Sequence, residues 1–290
     1  MKQQSEKSHF MSHPHEILDD VTGLISLPDV YLRIRDLLDD PKANLGDFAN
    51  VVAMDPNIST RVLRMANSPF FGFAAKIESL SRAINIMGVA QLHDLVLGIS
   101  AVNSFASIPN DVMDMSIFWR RSVLCGISAR LLASQCNVLD AQRLFVAGLL
   151  HDIGHLILYN KRPNLSKQAI QQSSEQGKPL FLIERFLMGY DYGQVGSELM
   201  ANWNLPESYQ ETTALHMEPS KAQHFQLEAA IVHMGRQIAH SMIKAVELNG
   251  TESADPSVWE ITGLTEEVIG PVAQQAKKHM ADVIHLIQPG

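Results

Sequence analysis

The chain has 290 residues, enough for one large or two modest domains, and its 46% hydrophobic and 19% charged residues are the balance of a packed globular protein. Its formal net charge is −8 and no basic run offsets it, which argues against a broad phosphate-binding surface and so against sequence-independent nucleic-acid binding. The start MKQQSEKSHFMSHPHE holds no apolar signal core, and no apolar run approaches the ~18 residues of a membrane span; the expectation is a cytoplasmic protein without membrane contact.

In chain order, residues 1–16 read as a disordered tail. The segment DVYLRIRDLLDD (29–40) is a helix bounded by Pro28 and Pro41. NLGDFANVVAMD (44–55) follows with Asn44 as N-cap, then PNISTRVLRMANS (56–68) with Pro56 in its first turn. Asn67 and Ser68 are expected to close that helix through capping and turn hydrogen bonds. PFFGF (69–73) is an aromatic loop expected to fill a seam between the two halves of the chain, and 79–105 supplies one or two helices around Gly88. The helices over 44–66 are spaced like a helix-turn-helix, but Asp36, Asp39, Asp40 and Asp47 make a DNA-facing surface there implausible.

The helical period lapses across ASIPNDVMDM (106–115), whose Met residues read as core filler. SIFWRRSVLCGISARLLASQC (116–136) then predicts a long helix, and LFVAGLLHDIGHLILYN (144–160) a second. Further helices are predicted over 164–174, 179–189, 191–202, 206–215, 225–247 and 265–288, the last with a restart at Pro271. Strand alternation is scarce, so period alone gives an all-α protein. The two cysteines, Cys125 and Cys136, sit in one predicted helix roughly 16 Å apart, too far for a disulfide, and suit a reducing compartment.

Chemistry concentrates at His151 and Asp152. An adjacent His and Asp can give a divalent ion one imidazole nitrogen and one carboxylate oxygen. A hydrolytic centre needs at least three protein ligands and an open position for water, so the doublet alone is not a site. A second doublet, His93–Asp94, has no further ligands nearby and reads as an ordinary helix-surface pair. His155, one turn beyond His151, reads as a partly buried histidine on the helix flank.

LFVAGLLHDIGHLIL resembles the central helix of the HD-domain superfamily of metal phosphohydrolases. The early Leu27-Pro28, the Asp55-Pro56 helix start, the turn LRMANSPFFG and the helix AINIMG resemble the HDOD family, a branch of bacterial signalling proteins. The resemblance runs from about residue 22 to about 240. It implies a two-lobed fold: an N-terminal helical lobe over 17–110, an HD-like bundle over 111–245 and a C-terminal helical extension over 246–290.

The resemblance also implies a ligand set drawn from four helices. His151, Asp152 and His216 occupy matching positions. Arg121, Tyr192 and Arg236 stand where the family pattern has His, His and Asp, and Met217 replaces the second member of a His-His pair. Arginine stays protonated and cannot become a ligand. Two guanidinium groups within ~5 Å would oppose a divalent cation by several kcal/mol at an effective dielectric near ~20. They would equally serve as ion-pair partners for Asp152, or form a pocket for an anion such as a phosphate.

The expectation is therefore a non-catalytic output or adaptor module that acts through other signalling proteins and needs no cofactor. Its alternative is a metal-dependent phosphohydrolase of a nucleotide or cyclic nucleotide, working through His151, Asp152 and His216 with a divalent metal.

Overall fold

The structure is a computed structural model, and it describes residues 14–19, 25–73, 76–106, 112–243 and 255–287. Among these residues the fold is all-α, with no strand. The N-terminal half runs through α1 (Pro14–Asp19), α2 (Asp29–Leu38), α3 (Leu45–Ala53), α4 (Pro56–Ala66), α5 (Leu80–Met87) and α6 (Val89–Phe105). Its boundaries follow local chemistry. Asn44 caps α3 in a capping box with Asp47, and the Asp55 side chain accepts from the backbone N–H groups of Asn57 and Ile58 to start α4 at Pro56. Ser79 caps α5, and Gly88, at φ +83°, turns the chain so that α6 leaves α5 bent by 115°.

Asn67 closes α4 as expected and does more. Its side chain donates to the carbonyls of Leu63 (2.8 Å) and Ile77 (2.7 Å) and accepts from the Ile77 N–H (2.8 Å), pinning both ends of the aromatic loop. Phe70 and Phe71 are buried there; Phe70 meets Phe145 at a centroid distance of 5.2 Å and His279 at 5.7 Å, so the loop does fill a seam.

The second half is built on α7 (Met115–Gln135), a helix buried around most of its circumference. Against it pack α8 (Ala141–Leu150), α14 (Gln226–Met242) and α16 (Ile269–Ile287). Between α8 and α14 run α9 (Ile153–Lys161), α10 (Pro163–Gln176), α11 (Leu180–Met188), α12 (Tyr192–Asn202) and α13 (Glu207–Leu215); α15 (Ser257–Thr262) precedes α16. One apolar core runs from Ile17 to Ile287, with a small satellite of Ala169, Leu180 and Ile183 under α10 and α11. On its outer side α16 spans the two halves: it packs on α4 as well as α7, and Arg61 donates to both Asn103 Oδ1 (2.9 Å) and the Ile287 carbonyl (3.0 Å).

Several expectations need correction. Residues 14–16 of the expected tail begin α1, whose Ile17 and Leu18 are buried in the core; the rest of that tail lies outside the described residues. So do 107–111, where the expected break and lobe boundary fall, and 244–247 of the expected 225–247 helix. The 265–288 segment begins with a 3-10 turn at Glu266–Val268, with Pro271 inside the first turn of α16, and α15 was not anticipated. Most consequentially, 144–160 is not one helix. It breaks between α8 and α9, and His151 and Asp152 are the break.

Candidate functional site

The break adjoins a close tertiary contact. Gly154, in the first turn of α9, lies so close to α12 that a Cβ there would strike the Tyr192 carbonyl oxygen and come within 2.7 Å of the Gly196 nitrogen. This close seating of α9 against α12 lies just beyond the break that follows Leu150. His151 becomes the C-cap of α8, and Asp152, at φ −98° and ψ 8°, precedes α9. The doublet thus sits where α8, α9, α12, α13 and α14 converge.

Three side chains meet there. His151, Asp152 and His216 offer ligand-type atoms that all lie within 4.8 Å of one another. Both histidines are aimed by the same device: Nδ1–H donates to the backbone carbonyl three residues earlier, Gly148 for His151 (2.7 Å) and Thr213 for His216 (2.8 Å). Each Nε2 then faces Asp152, at 3.1 Å from Oδ2 for His151 and 3.7 Å from Oδ1 for His216. Arg236, on α14, brings its Nε within 3.8 Å of Asp152 Oδ1.

The protonation states follow from these neighbours. Burial alone would push the His151 imidazole down, but the Asp152 carboxylate outweighs it and holds the ring charged, up to about 10. Burial likewise works against the Asp152 carboxylate, yet the charges of His151 and Arg236 hold it well below the usual carboxylate range. His216 is pushed down, first by burial and then by the charge on His151, so it stays neutral and its Nε2 can accept from the Tyr192 hydroxyl, 3.5 Å away.

Of the three positions that depart from the family pattern, Arg236 and Tyr192 face the cluster. Arg121 instead donates through Nε and Nη2 to the Ile243 carbonyl (3.3 and 3.0 Å) at the end of α14, a cation satisfying a helix C-terminus. Of the two arginines offered as partners for Asp152, the ion pair that forms is with Arg236.

Two expected placements are corrected. His155 is buried, not on the flank: its ring stacks on Tyr192 at 3.7 Å and on Tyr159 at 5.0 Å, with Nδ1 3.7 Å from Glu184 Oε1. Glu184 also accepts the Tyr192 N–H at 3.0 Å, fixing the start of α12. The His93–Asp94 pair is buried too, because its partners come from distant parts of the chain: His93 Nε2 lies 3.0 Å from the Tyr31 hydroxyl, and Asp94 accepts from the Tyr209 hydroxyl at 2.9 Å.

Sequence reasoning missed Glu184, which carries no local signal, and two residues that helical spacing could have found. Cys125, one turn after Arg121, lies against His151, and its Sγ points to the Val232 carbonyl at 3.7 Å. His240, one turn after Arg236, is pushed well down, first by burial and then by Arg236 and Arg121.

Asp152 carries the fit test for a divalent ion. Two imidazoles with their Nδ1–H groups fixed and one carboxylate are an appropriate donor set. But the carboxylate is already shared by a charged imidazole and a guanidinium, and Asp152, Arg236 and His216 are 3%, 5% and 0% exposed. His151, Asp152 and His216 are the residues that could hold a divalent ion, in competition with Arg236 for Asp152.

A helical bundle with a His-Asp doublet at the junction of two helices, completed by a histidine from a third, defines a protein of the HD type. The chain matches the HDOD domain over residues 24–219 and belongs to that family. An HDOD domain protein of unknown function from Geobacter sulfurreducens is 21% identical, with a TM-score of 0.73 over 94% of this chain and 97% of that one. A protein proposed to be a phosphohydrolase, from Shewanella amazonensis SB2B, is 23% identical (TM-score 0.70; 93% and 96% covered). One proposed to act in signal transduction, from Marinobacter aquaeolei VT8, is 24% identical (TM-score 0.70; 96% and 62% covered). At these identities the likeness establishes the fold. An uncharacterized protein of Treponema pallidum (strain Nichols) is 23% identical over 204 residues, 69% of this chain; the chain spans 39% of that relative's length.

Proposed function

We propose that this HDOD chain is a non-catalytic signalling module of a bacterial regulatory pathway, acting in the cytoplasm through contacts with other signalling proteins, without cofactor, nucleic acid or membrane. One observation carries the reading: Arg236 and His151 neutralise Asp152 inside a cluster closed to solvent. Metal-dependent hydrolysis of a phosphoester at this site would need the Asp152 carboxylate free to anchor the ion, together with an activated water near neutral pH. Here the carboxylate holds the bundle together instead. No single described helix is long and apolar enough to cross a membrane; the bent pair α5–α6 passes that test jointly, and α6 is largely core.

A second reading is favoured by the aim of the two histidines: a metal-dependent phosphohydrolase in which His151, Asp152 and His216 would hold the ion once Arg236 turned away. The test is elemental analysis of the protein purified without added metal or chelator, beside turnover of a generic phosphodiester with Mn²⁺, Mg²⁺ or Zn²⁺ supplied. The module reading expects metal far below one equivalent and no turnover. Near one equivalent, with turnover abolished by Asp152→Ala, would establish the second reading.

A further inference from the structure

At the opposite end of α8, roughly 15 Å along the helix from His151, lies a half-open cavity of about 180 Å³ walled by the aromatic loop, the start of α6 and the end of α7. Its lining includes Phe71, Phe73, Gln91, Arg130, Ser134 and Gln142. Two features of these side chains are unaccounted for by the fold.

The first is Gln142, 4% exposed, whose carboxamide nitrogen and oxygen both lack a hydrogen-bond partner. A buried carboxamide left wholly unsatisfied is costly and calls for a missing partner. The second is Arg130. Its guanidinium lies 4.1 Å from the centroid of Phe70 and 5.5 Å from that of Phe71, and donates to the Phe70 carbonyl. It is half-buried, no carboxylate among the described residues pairs with it, and burial pushes its pKa down from the ordinary arginine value. Buried charges are normally paired.

The backbone adds to both. Ala141 and Gln142, the first two residues of α8, line the cavity and their N–H groups take no side-chain cap, while the Asp140 carboxylate accepts from the Arg143 N–H. Asp140, just before them, is not a lining residue; its charged neighbours are Asp94 and Arg143.

We propose that this cavity binds an oxyanion, the phosphate or carboxylate group of a small molecule, held by the Arg130 guanidinium, the Gln142 carboxamide and the first turn of α8. At about 180 Å³ it is smaller than the ~300 Å³ at which pockets for drug-sized ligands begin. It therefore takes the anionic group alone, and any bulk attached to it lies over Phe73 and the exposed Leu139. The site is independent of the His151–Asp152 cluster and of the reading given to it.

The experiment is titration of the isotope-labelled full chain with inorganic phosphate, acetate and adenosine monophosphate at matched ionic strength, against a chloride baseline, followed by backbone amide shifts. Saturable shifts at Ala141, Gln142 and Arg143 are expected with phosphate or acetate, and whichever binds more tightly names the group. Tighter binding of the nucleotide than of inorganic phosphate would place its ring on Phe73; equal binding would make the oxyanion alone the ligand. Arg130→Gln and Gln142→Leu should each weaken binding by about tenfold or more, the loss of one charge-assisted or buried hydrogen bond. If Arg130→Gln fails to fold for want of its ring contacts, Gln142→Leu decides alone. No saturable shift with either ion, or shifts undiminished in Gln142→Leu, would leave the cavity to water and overturn the proposal.

Discussion

Tyr209 on α13 donates its hydroxyl hydrogen to Asp94 Oδ1 on α6 at 2.9 Å, joining the second half of the chain to the first. The same carboxylate oxygen lies 3.3 Å from His93 Nδ1, and His93 Nε2 reaches the Tyr31 hydroxyl on α2. Four side chains from three helices thus form one buried polar line through the core. Tyr209→Phe should cost ~1.5–3 kcal/mol, the range for a hydrogen bond to a charged group. Urea denaturation would measure it, and a loss under ~0.5 kcal/mol would show that the line does not tie the halves together.

The same line, with a core continuous from Ile17 to Ile287, predicts that the halves unfold together. Calorimetry should give one transition whose van't Hoff and calorimetric enthalpies agree. Two separable transitions, or two stable fragments after proteolysis near Pro109, would contradict it.

Asp152→Ala should destabilise by ~3 kcal/mol or more, because it strands the buried charges of Arg236 and His151. A partial restoration is expected when Arg236→Met is added, since the second change removes one of those charges. Additive losses in a double-mutant cycle would mean that the two residues do not interact.

Gly154→Ala should be among the most damaging single changes in the chain, because the new methyl group has backbone of α12 on its far side and nothing flexible to displace. A cost of ~2 kcal/mol or more is expected from overpacking. A thermal shift indistinguishable from wild type would show that α9 and α12 are less closely seated.

Acid should weaken the fold through buried histidines that stay neutral in it. Burial, then the charge of Arg236, keeps His155 neutral down to about 3 despite Asp152, and burial takes His233 down to about 4. The unfolded chain binds protons at these residues from ~6.5 downward and the folded chain does not. Stability is therefore full above pH ~6.5 and falls as pH drops through the window toward 4. His151 has the opposite sign: its pKa is raised to about 10, so its contribution is complete below ~6.5 and fades only as pH rises toward 10. Urea unfolding at pH 7 and pH 5 should differ by about 2 kcal/mol or more; equal stability would show that these rings are not neutral in the fold.

What the sequence made legible was local. Asn44, Asp55, Pro56 and Gly88 mark helix ends through their own backbone chemistry, and each stands where expected. The three matching residues His151, Asp152 and His216 do converge. What stayed hidden depended on distant partners. Nothing in LLHDIGH interrupts the apolar period, so neither the break at His151 nor the seating of Gly154 against α12 is visible there. His93 and Asp94 read as surface residues because Tyr31 and Tyr209 lie far off in sequence. Arg121 and Arg236 were equivalent substitutions until the fold sent one to the end of α14 and the other to Asp152.

The bond from Arg61 to the Ile287 carbonyl bears on where this protein can be cut. The family match ends at residue 219, before α14 and α16. A chain shortened to the matched span would lose Arg236 and bare the apolar sides of α4 and α7 that Val272, Ala276, Val283 and Ile287 cover. Such exposed faces invite self-association, so the span that defines kinship is shorter than the span that completes the core.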